Sequence, residues 1–144
     1  MYERILVATD GSKHAEAAAE RAIELANLTG GTLHAISVAE TGILGSIRLP
    51  GESASAEEVF SKEAEGHVAA VEERAAANDV NVISEVRYGA AVEAILDYAS
   101  DIDAEVVVLG SRGRGGIAQV MLGSVAEGVA RYGEMDVLVV HGED

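Results

Sequence analysis

The chain has 144 residues, 49% of them hydrophobic, with one proline, four tyrosines and no cysteine. That length and composition suit one domain with a real core; they exclude whole-chain disorder, disulfides and thiolate metal sites. Twenty-five acidic against ten basic residues leave a net charge of −15, a field that repels nucleic acid and anionic membranes and argues against both as partners.

Of the basic residues only Lys13 and Lys62 are lysines. Excess carboxylate with scarce lysine is expected of a halophile protein working in molar salt, where the screening length falls to about 3 Å. An ordinary acidic cytosolic protein is the alternative. Met1-Tyr2-Glu3-Arg4 runs straight into an apolar stretch without a basic-then-apolar leader. No apolar run approaches the length of a membrane span. The expected location is the cytoplasm.

Arg4 to Asp10 reads as a buried strand ending in the polar run Thr9-Asp10-Gly11-Ser12, with Ser12 as a candidate helix N-cap. Ala15, Ala18, Ala19, Ala22, Ile23 and Ala26 then trace one helical face. Glu16, Glu20 and Glu24 stack on the opposite face, a like-charge row that destabilises an isolated helix at low salt. Thr29-Gly30-Gly31 stops this helix, and Thr32 to Val38 is the second strand. Ala39 to Ser55 breaks every periodicity, with Gly42, Gly45, Pro50 and Gly51 spread through it. A loop of that length is usually functional or mobile. Its apolar middle suits a cover for a ligand or partner; a disordered crossover is the other reading. Glu57 to Asn78 is a long amphipathic helix with Phe60, Ala64, Val68, Val71 and Ala75 on one face. Val80 to Val86 alternates like a strand, and Val92, Ile95, Leu96 and Ala99 mark the third helix. Ala104 to Leu109 is a strand, Ser124 to Tyr132 a helix-compatible run, and Asp136 to Val140 the last strand.

The stretch after Leu109 holds the chemistry. Gly110, Gly113, Gly115, Gly116 and Gly123 put five of the chain's sixteen glycines within fourteen positions, between a buried strand and a helix start. That order builds an anion site: glycines let the backbone approach a ligand, and the first free N–H groups of the helix point at phosphate oxygens. Ser124 is placed both to cap the helix and to offer its hydroxyl, while Arg112 and Arg114 add cations. A Walker A loop fails, because Gly110-x4-Gly115 is followed by Gly116-Ile117 instead of a Lys-Ser/Thr pair. Gly113-x-Gly115-x-x-Ala118 fits the dinucleotide fingerprint, yet it sits in the last strand–helix unit, not the first. A glycine-rich connector without ligand is the remaining reading. His14, His34, His67 and His141 show no metal spacing and read as surface or internally satisfied histidines. No Gly-x-Ser-x-Gly elbow exists for a hydrolase. Asp10 is the carboxylate placed by its strand end to meet a metal or ligand, or else to cap the turn before the first helix.

The sum is β-α-β-α-β-α-β-α-β, with apolar strands and amphipathic helices, which argues for an α/β parallel sheet covered on both faces. The spacing Gly110-x2-Gly113-x9-Gly123-Ser124 resembles the ATP-binding signature of the universal stress protein family. The resemblance extends to Ile5-Leu-Val-Ala-Thr-Asp10-Gly-Ser12, to Gly89 ahead of Val92-x-x-Ile95-Leu96, and to the run from Asp103 to Arg114. It implies an open, Rossmann-like sheet of five strands in the order 3-2-1-4-5, with the switch point between the first and fourth strands. It also implies an ATP site: Asp10 near ribose and phosphates, Val38 against adenine, and Gly110, Gly113, Gly123 and Ser124 holding ribose and phosphates. Ala8, Thr9, Ser111, Arg112, Arg114 and Val125 adjoin these, and Asp10 is the expected ligand of Mg2+. A homodimer is expected through the uncharged last strand, Val137 to Val140, which the family order puts at an edge. One departure is Gly133-Glu-Met-Asp136, where many relatives carry a proline. The function implied is an ATP-binding regulator or switch of stress responses, with a protein partner the sequence does not name. A nucleotide-free dimeric interaction module and a slow ATPase are the alternatives; machinery for efficient hydrolysis is not visible.

Overall fold

The computed structural model describes residues 2–40, 56–112 and 123–142. Five parallel strands, β1 (Arg4–Ala8), β2 (Thr32–Ala39), β3 (Val82–Tyr88), β4 (Val106–Gly110) and β5 (Asp136–Val140), alternate with helices α1 (Lys13–Thr29), α2 (Ala56–Ala77), α3 (Ala91–Asp101) and α4 (Ser124–Tyr132). The sheet order is β3-β2-β1-β4-β5, as the family resemblance implies. β1 pairs with β2 from Arg4↔Thr32 to Ala8↔Ile36, and with β4 from Ile5↔Val106 to Val7↔Val108.

Both faces of the sheet are covered, which explains why β1 from Ile5 onward and β4 are apolar at consecutive positions and not at alternate ones. Ile5, Val7, Leu33, Ala35, Val106 and Val108 face the alanine stripe of α1 and residues Val71 and Ala75 of α2. Leu6, Ile36, Val107 and Leu109 face the other way, onto Ile95, Tyr98 and Ala99 of α3 and Ala126 and Val129 of α4. Small side chains let α1 lie close to the sheet: Ala18 and Ala22 are fully buried. On its outer face the like-charge row is partly compensated from α2, since Arg74 Nη1 donates to Glu20 Oε1 at 2.9 Å.

Two boundaries differ from expectation for a shared reason. The sequence predicts the third strand from Val80, but Val80 belongs to the end of α2. Its N–H donates to the Ala75 carbonyl at 2.9 Å and that of Asp79 to Ala76 at 3.1 Å, with Asp79 in the left-handed region at φ 57°. This is a Schellman cap with an apolar residue closing it. The pattern repeats after α3, where Ala104 bonds to Ala99, Asp103 to Ser100, and Asp103 has φ 53°. β1 likewise ends at Ala8, earlier than expected, and Thr9 to Ser12 form a turn. Of the aperiodic run expected from Ala39, Ala39 itself still belongs to β2. Residues 41–55 lie outside the described residues.

Candidate functional site

The carboxyl ends of β1, β2 and β4 and the amino end of α4 enclose a cleft of about 360 Å³. It sits beside the point where the sheet order reverses, the usual ligand position in open α/β sheets, and its size suits a small ligand. Ala8, Thr9 and Asp10 arrive from β1. Asp10 Oδ1 accepts a hydrogen bond of 3.0 Å from the Ser12 N–H, and Ser12 Oγ accepts one of 3.1 Å from the Ala15 N–H. Ser12 is thus the N-cap of α1, and Asp10 holds the turn ahead of it while lining the cleft.

On the opposite wall the Ser111 N–H bonds to the Val140 carbonyl at 2.8 Å, and the Ser111 carbonyl accepts from the Gly123 N–H at 2.6 Å. The second bond ties the residue after β4 to the residue before α4, so the amino end of α4 opens beside the end of β4. Gly123, and not Ser124 as expected, is the N-cap, with φ −64° and ψ 157° and no side-chain capping bond. Ser124 is the first residue of the helix, and with Val125 and Ala126 it lines the cleft. An N-cap without a side-chain oxygen leaves backbone donors of the first turn for another acceptor.

Gly110 has a packing job beside the one its motif suggests. A Cβ there would lie 2.6 Å from the carbonyl carbon of His14 and 2.9 Å from the Ala15 nitrogen. The glycine lets β4 meet the first turn of α1 backbone to backbone, and only its remaining surface borders the cleft.

Of the residues the sequence singles out, Ala8, Thr9, Asp10, Val38, Gly110, Arg112, Gly123, Ser124 and Val125 line this one cleft. Ser111 does not: it is 1% exposed, with Oγ 3.4 Å from Nδ1 of His14. Gly113 and Arg114 lie outside the described residues. Sequence reasoning missed Ala15, Ile36, Glu40, Ala91, Ile95 and Ala126, which also line the cleft. Ile36 was within reach, since it shares a strand face with Val38; Ala91 and Ile95 come from α3, whose docking no local pattern announces. Among the described lining residues the cation is Arg112 and the carboxylates are Asp10 and Glu40.

Among the described residues no group of three or more histidine, aspartate or glutamate side chains is arranged to hold a metal. No helix among them is long and apolar enough to cross a membrane. His34 and Tyr98 form a buried pair behind the cleft, Nδ1 to the hydroxyl oxygen at 3.2 Å. Burial, helped by the charge of Arg4, holds the His34 imidazole below the ordinary histidine range, and burial pushes the Tyr98 phenol up.

The sequence model of the universal stress protein family matches residues 1–141. The chain belongs to the universal stress protein family. A universal stress protein of Methanocaldococcus jannaschii is 29% identical over 140 residues, which is 97% of this chain and 82% of that one. The solved structure of hypothetical protein MJ0577 shares the fold, with a TM-score of 0.82 at 24% identity over all of this chain and 99% of that one. A universal stress protein solved in complex with cAMP superposes with a TM-score of 0.74 at 27% identity, over 99% of both chains.

Proposed function

We propose that this universal stress protein binds an adenine nucleotide, ATP together with Mg2+, and acts as a stress-response regulator whose state follows occupancy. The observation that carries the reading is the convergence of Asp10, Gly110, Arg112, Gly123 and Ser124 on one cleft to which Ile36, Val38 and Ile95 add apolar surface. Such a cleft suits a flat base on its apolar side and an anion at the amino end of α4. The cAMP complex of a relative at 27% identity supports the same ligand class.

Mg2+ fits the chemistry of the donor set. Asp10 and Glu40 would repel a phosphate chain, and a divalent cation between carboxylate and phosphates reverses that sign. Asp10 is the residue that would hold it, since Mg2+ is usually bound by one or two carboxylates together with substrate phosphates. The site has no Walker lysine, and donors that bind phosphates equally in ground and transition states do not accelerate their transfer. We therefore expect turnover far below the ~1–10³ s⁻¹ of ordinary enzymes. The edge strand β5 is the proposed contact of a homodimer.

The test is calorimetry with Mg-ATP on the wild-type protein and on Gly123→Val, preceded by acid extraction and chromatography of any co-purified nucleotide. The backbone of Gly123 has φ −64°, a conformation open to any residue, so the variant should fold. Binding in the wild type and at least tenfold weaker binding in the variant is the expected result. No nucleotide bound by the wild type would favour a ligand-free interaction module; equal affinity in both would remove Gly123 from the site.

A further inference from the structure

His14 is absent from the cleft, yet it joins the end of β5 to the start of α4. It is 6% exposed, in the first turn of α1. Its backbone runs between two glycines from other elements. A Cβ at Gly110 would stand 2.6 Å from its carbonyl carbon, and one at Gly142 would stand 2.9 Å from its Cα. Neither approach tolerates a side chain, so the last residue of β4 and the segment that follows β5 both close on this turn.

The imidazole then fastens them. Nδ1 of His14 accepts a 2.8 Å hydrogen bond from the Gly142 N–H, and Ser111 Oγ lies 3.4 Å from the same nitrogen. A ring nitrogen that accepts a backbone N–H carries no proton, so the ring proton of a neutral His14 is on Nε2. Ser111 continues the chain of contacts: its N–H bonds to Val140 at 2.8 Å, and its carbonyl accepts from the Gly123 N–H at 2.6 Å. One buried imidazole therefore has the second residue after β5 on one side and, through Ser111, the N-cap of α4 on the other.

We infer that His14 is a positioning residue, whose unprotonated Nδ1 holds Gly142 and Ser111 and through Ser111 sets Gly123 at the mouth of the cleft. Leucine at position 14 removes the acceptor and should loosen both attachments together, whereas asparagine keeps an acceptor, because its Oδ1 occupies the place of Nδ1.

The effect on ligand affinity rests on the nucleotide reading, whereas the link between Gly142 and Gly123 does not. The first experiment therefore measures amide hydrogen-exchange protection by NMR on the ligand-free protein. His14→Leu should lose protection at Gly142 by about tenfold or more, and at Gly123 as well, while His14→Asn should keep both. Wild-type-like protection of Gly142 in His14→Leu would overturn the proposal, and so would loss at Gly142 that leaves Gly123 untouched. If His14→Leu does not fold, Ser111→Ala decides: it should lower protection at Gly123 and leave Gly142 protected, and unchanged protection at Gly123 would overturn the proposal. The second experiment is Mg-ATP calorimetry on the same proteins, with affinity about tenfold lower in His14→Leu and unchanged in His14→Asn. Equal affinity in the wild type and His14→Leu would refute the positioning role. A wild type that binds no ATP refutes the nucleotide reading, and hydrogen exchange alone then decides the role of His14.

Discussion

Replacing Gly110 by alanine separates two reasons for a glycine at the end of β4. In the phosphate-loop reading the residue is small so that a ligand can approach; in the structure it is small because α1 lies against it. A methyl at Gly110 would sit 2.6 Å from the carbonyl carbon of His14, 2.8 Å from its Cβ and 2.9 Å from the Ala15 nitrogen. Carbon atoms rest at about 3.5–4.0 Å, so β4 and the first turn of α1 must part by roughly 1 Å. Most of the opposing atoms are backbone, and no rotamer change relieves them. Overpacking of this kind costs about 1–3 kcal/mol. Gly66, within α2, is the control: nothing lies within 4 Å of a Cβ there. Alanine's better helix propensity should make Gly66→Ala more stable by about 0.5–1 kcal/mol. The two identical substitutions therefore have opposite signs. For a domain near this size about 2–4 °C follows each kcal/mol, so Gly110→Ala should melt about 2–12 °C lower and Gly66→Ala about 1–4 °C higher. Thermal and urea unfolding in one salt buffer measures both. A Gly110→Ala protein as stable as the wild type would refute the close approach of β4 to α1 and return Gly110 to the ligand.

Val139→Pro should dissociate the proposed dimer without unfolding the protomer. Asp136 donates to Glu105 and Val140 accepts from Ser111, so the alternation of a parallel ladder points the Val139 N–H at the open edge, where proline is tolerated; light scattering that still gives a dimer would exclude β5 as the contact. His34 contributes to acid sensitivity. Its folded value lies below its unfolded one, so its share of stability is fully present above the ordinary histidine range and is lost as pH falls from that range through the lowered folded value. Urea unfolding between about pH 8 and about pH 5 should show a shallower loss in His34→Asn than in the wild type, and equal slopes would contradict the assignment. With a net charge of −15, the melting temperature should rise as potassium chloride goes from tens of millimolar to molar, and a flat profile would show that charge repulsion does not limit this fold.

Much of the architecture is legible in the chain because local physics writes it there. Apolar runs such as Ile5-Leu6-Val7 mark strands covered on both faces, alanines at helical spacing mark the buried stripe of α1, and Gly30, with φ 72°, ends that helix where a left-handed residue is needed. The glycine-rich order after β4 likewise announces that a helix start opens beside the end of that strand, since it needs only a strand, a turn and a helix in sequence. Tertiary structure decided what depends on distant surfaces meeting. The caps after α2 and α3 use Asp79 and Asp103 in the left-handed region, closed by apolar Val80 and Ala104, and without a glycine the sequence carries no strong sign of them. Gly123 caps α4 in place of Ser124 because its N–H is engaged by the Ser111 carbonyl. Gly110 and Gly142 are required by the backbone of His14, far away along the chain, and His14 itself looks like any scattered histidine until those ends close on it. Periodicity and φ preferences are properties of neighbouring residues, whereas close approach between elements is a property of packed surfaces, and only the folded chain expresses it.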